Sequence, residues 1–270
     1  MAATVKEITE LFSSWALPEL AETWDNCGFQ LGNPASSVKR VVVALDISWK
    51  LLEFARETGA QMVITHHPAI FHPIKTLDTS KPNTRLLAGF LCANIAVASF
   101  HTSLDSAPGG VNDCLAQLLN LKVEGPLLPG LSSVPGSGMG RIGSLPAPMS
   151  GQDFLDLVGR RLGCAALSYA GPVERECSRI AVCGGSGSSL LESAFLLSAD
   201  ALVTAEVKHS VAMEAEELGL LVVDAGHFTT EYPVVEKMAE FLMEKGQELQ
   251  LGVEVEIFSK ERAPLHYISF

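Results

Sequence analysis

"RVVVALDISWKLLEFARETGAQMVITHH" (residues 40–67) decides the fold, because it recurs 139 positions later, without a gap, as "RIAVCGGSGSSLLESAFLLSADALVTAE" (179–206). Arg40 falls on Arg179, Leu51-Leu52-Glu53 on Leu190-Leu191-Glu192, Ala55 on Ala194 and Thr65 on Thr204. Each copy runs from a short apolar segment through a helical period to a second apolar segment. Strand-helix-strand units of this kind build a mostly parallel sheet covered by helices. In such sheets the functional groups lie beyond the carboxyl ends of the strands.

Apolar patterning alone makes such units look alike, so the repeat needs support from chemistry. "NIAVASFHTSLD" (94–105) supplies it by resembling "LLVVDAGHFTTE" (220–231). Both segments end an apolar strand, turn, and present a histidine four residues ahead of a carboxylate: His101 with Asp105, and His227 with Glu231. After Thr65 stands the pair His66-His67; after Thr204 stands Ala205-Glu206. The expected architecture is α/β, with two interlinked, internally duplicated lobes. The first lobe spans 1–125, with the C-terminal segment available to complete it; a linker and the second lobe span 126–270. The Gly-, Pro- and Ser-rich stretch 125–151 reads as an exposed connector with a short strand near 139–145. A helix bearing Phe154, Leu157, Val158 and Leu162 follows it.

The 270 residues are 47% apolar, yet no apolar run approaches the roughly 20 residues needed to span a bilayer. "TVKEITELF" is an amphipathic helix opened by a Thr4/Glu7 capping box, and it lacks the pattern of a signal peptide. Six cysteines without a Cys-x-x-Cys pair point to reduced thiols in a cytoplasmic protein and argue against a zinc ribbon. A net charge of -12 and the lack of a basic run disfavour direct nucleic-acid binding.

Side chains of neighbouring residues in extended backbone point to opposite faces, so one ion could use both His66 and His67 only if the chain turned sharply, a turn that Pro68 favours; two ions, one per histidine, are the natural solution. His227 and Glu231 share a face one helical turn apart if "HFTTEYPVVEKMAEFLMEKG" has begun its helix, against which Pro233 counts except in a first turn, with an apolar stripe from Val234 to Leu242 and a stop at Gly246. Imidazole and carboxylate donors without thiolate suit divalent Zn, Mn, Fe, Co or Ni. Two such ions about 3.5 to 4 Å apart lower the pKa of a shared water and clamp an attacked oxygen. Glu231, with a longer reach than Asp105, is the candidate bridge.

Other constellations are weaker. A Ser/His/Asp triad drawn from Asp46, Ser103, Asp105 and His101 lacks a nucleophile elbow and leaves the remaining histidines unexplained. "CGGSGSSLLESA" (183–194) lacks the phosphate-loop lysine and the full dinucleotide fingerprint, so it reads as a tight turn. Glu206 and His209, in "TAEVKHS", fit either a pocket with proton-transfer groups or a solvated helix start. In "ETWDNCGFQLG" (22–32), Asp25 and Asn26 can fix turns and Trp24 can anchor them. His72 and His266 share no pattern with the rest.

"WDNCG", "THHP-x-x-F", "HTSLD-x-x-x-GGVN", the Gly/Ser turn after an apolar strand and "H-x-x-x-E" near the C-terminus, in this order, resemble the Nif-three-like family over nearly the whole chain. That family is also called the type 2 GTP cyclohydrolase I homologues and domain of unknown function 34. The resemblance implies two similar α/β lobes with a dinuclear metal site between them, in the short form without an inserted domain, assembled as a toroidal homohexamer. It implies that His67 and Asp105 hold one ion, that His66 and His227 hold the other, that Glu231 bridges them, and that His101 lines the site. Glu206 falls on a family acidic position and His209 near a polar cluster. Cys27 departs from the more usual valine-like residue of its motif. The implied function is a metal-dependent hydrolase of a nucleotide-like or heterocyclic small molecule, the GTP cyclohydrolase type among them. The alternative is a non-catalytic metal-binding scaffold that interacts with transcription regulators.

Overall fold

Val41–Val43 and Met62–Ile64 are buried on both faces of their strands, as the centre of a parallel sheet covered by helices requires. The computed structural model describes residues 3–130 and 132–268. Contacts group the chain into two units. One runs to Leu104 and takes in Val235–Glu261; the other takes Asp105–Val234 and the segment from Arg262.

In chain order the first unit holds α1 (Val5–Ser13), β1 (Gly28–Leu31), β2 (Arg40–Ala44), α2 (Trp49–Thr58), β3 (Met62–Thr65), α3 (Pro82–Cys92) and β4 (Ala96–Ser99). The chain crosses to the second unit within α4 (Thr102–Ser106). There follow α5 (Val111–Leu118), β5 (Lys122–Gly125), β6 (Arg141–Ser150), α6 (Gly151–Leu162), β7 (Ser168–Ala170) and β8 (Glu176–Val182). The unit continues with α7 (Leu191–Leu196), β9 (Ala201–Thr204), α8 (His209–Leu218), β10 (Leu221–Asp224) and α9 (His227–Glu231). Within α10 (Val234–Glu248) the chain returns to the first unit, which it completes with β11 (Glu254–Ile257).

The first unit's sheet has the order β11-β2-β3-β4-β1, parallel except for β1 at the edge. Leu51, Leu52 and Ala55 of α2 and Leu87 and Phe90 of α3 pack with Val42, Val63 and Val97 of the strands. Elsewhere in the unit, Phe12 of α1 stacks on Phe100 at 5.0 Å and meets Phe241 of α10 edge-on at 5.3 Å. Local chemistry sets the helix ends. The Thr4/Glu7 capping box forms, Ser48 Oγ accepts from Leu51 N, and Gly59 ends α2 in the left-handed conformation.

The second unit's sheet has the order β7-β10-β9-β8-β6-β5, with β8, β9 and β10 parallel and the flanking strands antiparallel. Phe154, Leu155 and Val158 of α6 and Leu115 of α5 cover one face, against Ile180, Val182 and Val203. Leu191, Ala194 and Ala215 meet Ala181, Leu202 and Val222 in a second cluster.

The strand registers of the two units can be set against the sequence match. Val41 lies opposite Met62, and Ile180 opposite Ala201, so the same offset of 139 holds on both strands. The third strands keep an offset of 125, with Met62 opposite Ala96 and Ala201 opposite Leu221. The bonds Phe100 N to Thr65 O and Ala225 N to Thr204 O continue that offset. His101 and His227 are one position further apart. The extra residue lies at Gly226, whose φ of 86° is accessible at low cost only to glycine. Aligning 94–105 directly over 220–231 therefore slips by one residue along the strand.

Three other expectations change. Residues 105–125, assigned to the first lobe from sequence, lie in the second unit, because β5 pairs with β6. The stretch 125–151 is not merely an exposed connector, since Arg141, Ile142, Gly143 and Leu145 of β6 are buried within the sheet. The expected helix from 227 to 246 is two helices. Pro233, which has no N–H to donate, stands between them, and α10 runs past Gly246 to Glu248.

Candidate metal centre

β3 and β4 end side by side, with Thr65 opposite Ser99. The two hydroxyls are 2.8 Å apart in a buried contact, and Thr65 Oγ1 also reaches His67 O at 2.7 Å. That contact turns the chain immediately after the strand. The His66 and His67 rings consequently lie side by side, centroids 4.9 Å apart, and both meet His101, at 5.4 and 5.6 Å. The turn expected at Pro68 is present: the strand stops at Thr65, so the alternation of extended backbone does not carry through His66 and His67. The three histidines offer ligand atoms within 4.8 Å of one another, a group that could hold a metal ion.

Each imidazole is anchored through Nδ1. His66, fully buried, is 2.9 Å from Phe100 O; His67 is 2.8 Å from Asp46 Oδ1; His101 is 3.0 Å from Asp25 Oδ1. A carbonyl or carboxylate accepts, so Nδ1 carries the proton and Nε2 carries the lone pair a metal requires. This donor set fits a borderline divalent ion.

The supports are themselves held. Asp25 also accepts from Thr102 N and Oγ1. Burial pushes its carboxyl pKa up, but hydrogen bonds from His101, Thr102 and Cys27 outweigh burial and hold it well below the usual carboxylate range. Glu261 accepts from Leu45 N at 2.8 Å and Asp46 N at 2.9 Å, fixing the loop that carries Asp46. Burial raises its pKa despite those two bonds.

In the second unit, α9 places His227 Nε2 2.9 Å from Glu231 Oε2, with the Glu231 side chain buried. His227 Nδ1 is held at 2.8 Å by Glu206 Oε1. Glu206 adopts φ 57°, a left-handed conformation that costs a residue with a side chain about 1–2 kcal/mol. Strain of this kind collects where geometry serves function.

The Gly/Ser turn after β8 is occupied by the protein itself. Gly184 N donates to Asn112 Oδ1, Gly185 N to Thr230 Oγ1 and Gly187 N to Thr204 Oγ1, at 2.9, 3.0 and 2.9 Å. These donors are spent on side chains, which agrees with a tight turn. Its glycines also make room for Glu231: a Cβ on Gly185 would overlap Glu231 Oε1 and lie 3.3 Å from His227 Nε2. Asn112, fully buried, ties the turn to Asp105 by donating to its carbonyl at 2.9 Å.

Glu206 is thus a positioning residue for His227. His209 stands at the exposed start of α8, and none of the candidate metal-holding groups among the described residues includes it. His72 and His266 are exposed. Sequence reasoning missed Asp46 as the support of His67 and Asn112 as a clamp. The sequence offset of 139 offers one signal: Asp46 falls on Gly185 and His67 on Glu206. The supporting carboxylate stands after the first of the two matched strands in one unit and after the second in the other.

The profile of the Duf34/NIF3 (NGG1p interacting factor 3) family matches residues 3–264. The chain belongs to the Duf34/NIF3 family. Among Duf34/NIF3 relatives, the GTP cyclohydrolase 1 type 2 homolog of Streptomyces coelicolor is 34% identical over 84% of this chain and 80% of its own length. The protein of the same description from Clostridium perfringens is 29% identical over 98% and 99%. A Bacillus cereus protein related to NIF3 shares the fold with a TM-score of 0.91 at 23% identity, over 99% of this chain and 100% of that one. Among the described residues no helix is long and apolar enough to cross a membrane.

Proposed function

We propose that the chain is a metal-dependent hydrolase acting on a nucleotide-like or other heterocyclic small molecule. Two divalent ions would be held by His66, His67, Asp105, His227 and Glu231. The observation that carries this reading is the preparation of the imidazoles: His66, His67 and His227 each spend Nδ1 on a carbonyl or carboxylate. A carboxylate behind the histidine fixes ring orientation and raises ligand basicity. The five donors of this proposed set exceed what a single tetrahedral ion needs, which favours a pair.

When bound, the ions would supply an activated water and a clamp for the attacked oxygen. The chain's own residues do the rest. Asp46 and Glu206 orient His67 and His227, and the Gly184–Gly187 turn leaves room for Glu231. His101, whose Nδ1 proton is committed to Asp25, can accept or return a proton at Nε2. The names of the relatives make GTP the first substrate to test. We read the two units as diverged copies on their common strand offset, and a toroidal hexamer in the cytoplasm as the working assembly.

Protein purified without added metal should contain close to two divalent ions per chain, measured by elemental analysis. Metal-replete protein incubated with GTP should release formate; no formate with any of Zn, Mn, Fe, Co or Ni would rule out cyclohydrolase chemistry. Light scattering of the purified protein tests the six-chain mass. A His67→Ala/Glu231→Ala variant that loses metal yet keeps every cellular effect would favour a scaffold, a role suggested by the family's description as an interacting factor.

A further inference from the structure

Trp24 is 57% exposed and Phe71 45% exposed, yet neither ring is isolated on the surface. Their centroids lie 5.8 Å apart, and each meets the His101 imidazole, at 6.1 and 6.2 Å. His101 belongs to the group of three histidines that could hold a metal ion. Open aromatic surface therefore borders the candidate centre within the first unit.

The loops carrying the two rings are latched together. Asn26 Nδ2 donates to Ile70 O at 2.7 Å and to Gln30 Oε1 at 3.0 Å, while Ile70 N donates to the same Gln30 oxygen at 3.1 Å. Gln30 Nε2 closes the latch on Asn26 O at 2.7 Å. Asp25, between Trp24 and Asn26, is bonded to His101 and Thr102. A Trp-Asp-Asn segment that looks merely structural in the sequence thus fixes an aromatic pair beside the histidines. Fixing the two rings beforehand lowers the cost of binding an occupant that stacks on them.

We propose that Trp24 and Phe71 form a stacking subsite for a planar heteroaromatic ring, seating it against the His66, His67 and His101 group. The proposal deepens the hydrolase reading by naming what the substrate presents, and rests on that reading only for what happens after binding. Every such ring has a π-face that an indole or phenyl can cover. The competing occupant is a second copy of the chain, since Ile74 and Leu77 on the same loop are also exposed. Position decides against it: both rings meet His101, so their open faces lie beside the histidine group rather than apart from it. The open parts of Trp24 and Phe71 amount to roughly 200 Å², the size of surface a single planar ring can cover.

The test is equilibrium dialysis of the full chain, metal-loaded and metal-stripped, against guanosine, adenosine and pterin, with ribose 5-phosphate as the ring-free control. The aromatic probes should bind in preference to the control. Trp24→Leu and Phe71→Leu should each weaken binding roughly tenfold, about 1.4 kcal/mol, while Trp24→Phe stays within about threefold and all three variants keep the wild-type metal content. No binding of any aromatic probe to wild-type protein at millimolar concentration overturns the proposal, as does unchanged affinity in both leucine variants. A leucine variant that keeps probe affinity but lowers the particle mass in light scattering overturns it in favour of a second copy. Ring binding by protein that releases no formate from GTP would leave the subsite standing while ruling out the cyclohydrolase reaction.

Discussion

At the residue scale, the candidate centre depends on which atom of each histidine is committed elsewhere. Glu206 holds His227 Nδ1 from a strained backbone position. Glu206→Gln keeps the size but replaces the charged acceptor with a neutral amide. It is expected to weaken metal binding by about 10- to 100-fold, measured by competition with a chromogenic chelator, with little change in melting temperature. An unchanged affinity would remove Glu206 from the site. Gly185→Ala probes the seat of Glu231 instead, because the added methyl would overlap Oε1 at a position whose φ is 62°. The expected result is loss of bound metal by elemental analysis, with a backbone penalty of about 1 kcal/mol from the left-handed conformation. Retention of the full metal content in Gly185→Ala would mean that Glu231 is not a ligand.

At the element scale, the legible features are those with a local period. α1 announces itself through Thr4 and Glu7, and the parallel strands through unbroken Val and Ile runs. His66 and His67 stand out because they follow such a run directly. Their supports do not: Asp46 lies 21 residues before His67 and Asp25 lies 76 before His101, separations that no helical or strand period marks. β6 hides behind its glycines and prolines because its burial comes from its sheet partners. Arg141 at its start illustrates this. It is 1% exposed, bonds Asp113 through two nitrogens at 2.9 and 2.7 Å, and also donates to the carbonyls of Ala107, Gly138 and Gly140. Arg141→Met should strand those acceptors. Breaking a buried pair from one side costs about 3–5 kcal/mol, and partial exposure of Asp113 places the expected loss at the lower end. Urea unfolding measures it, and a loss below about 1 kcal/mol would show the network to be dispensable.

At the scale of the whole molecule, the first unit is discontinuous in sequence. Local patterning identifies α10 as an amphipathic helix but says nothing of the sheet to which β11 belongs. Here β11 pairs in parallel with β2, from Glu254 opposite Arg40 to Ile257 opposite Val43, and Arg40 is paired with Glu254 and Glu256. Val235, Met238, Leu242 and Phe258 are at most 1% exposed. At about 2 kcal/mol for each buried apolar side chain, they contribute roughly 8 kcal/mol, comparable with the about 5–15 kcal/mol that keeps a whole domain folded. A chain ending at Val234 should therefore lose the first unit, because β2 becomes an unpaired edge and Phe12 loses its contact with Phe241. The second unit's sheet draws every strand from 122–224 and should persist. Limited proteolysis read by mass spectrometry should then degrade the segment before residue 105 and protect a fragment covering 105–234. Equal protection of both segments in the shortened chain would show that α10 and β11 are accessory to the first unit rather than part of its core.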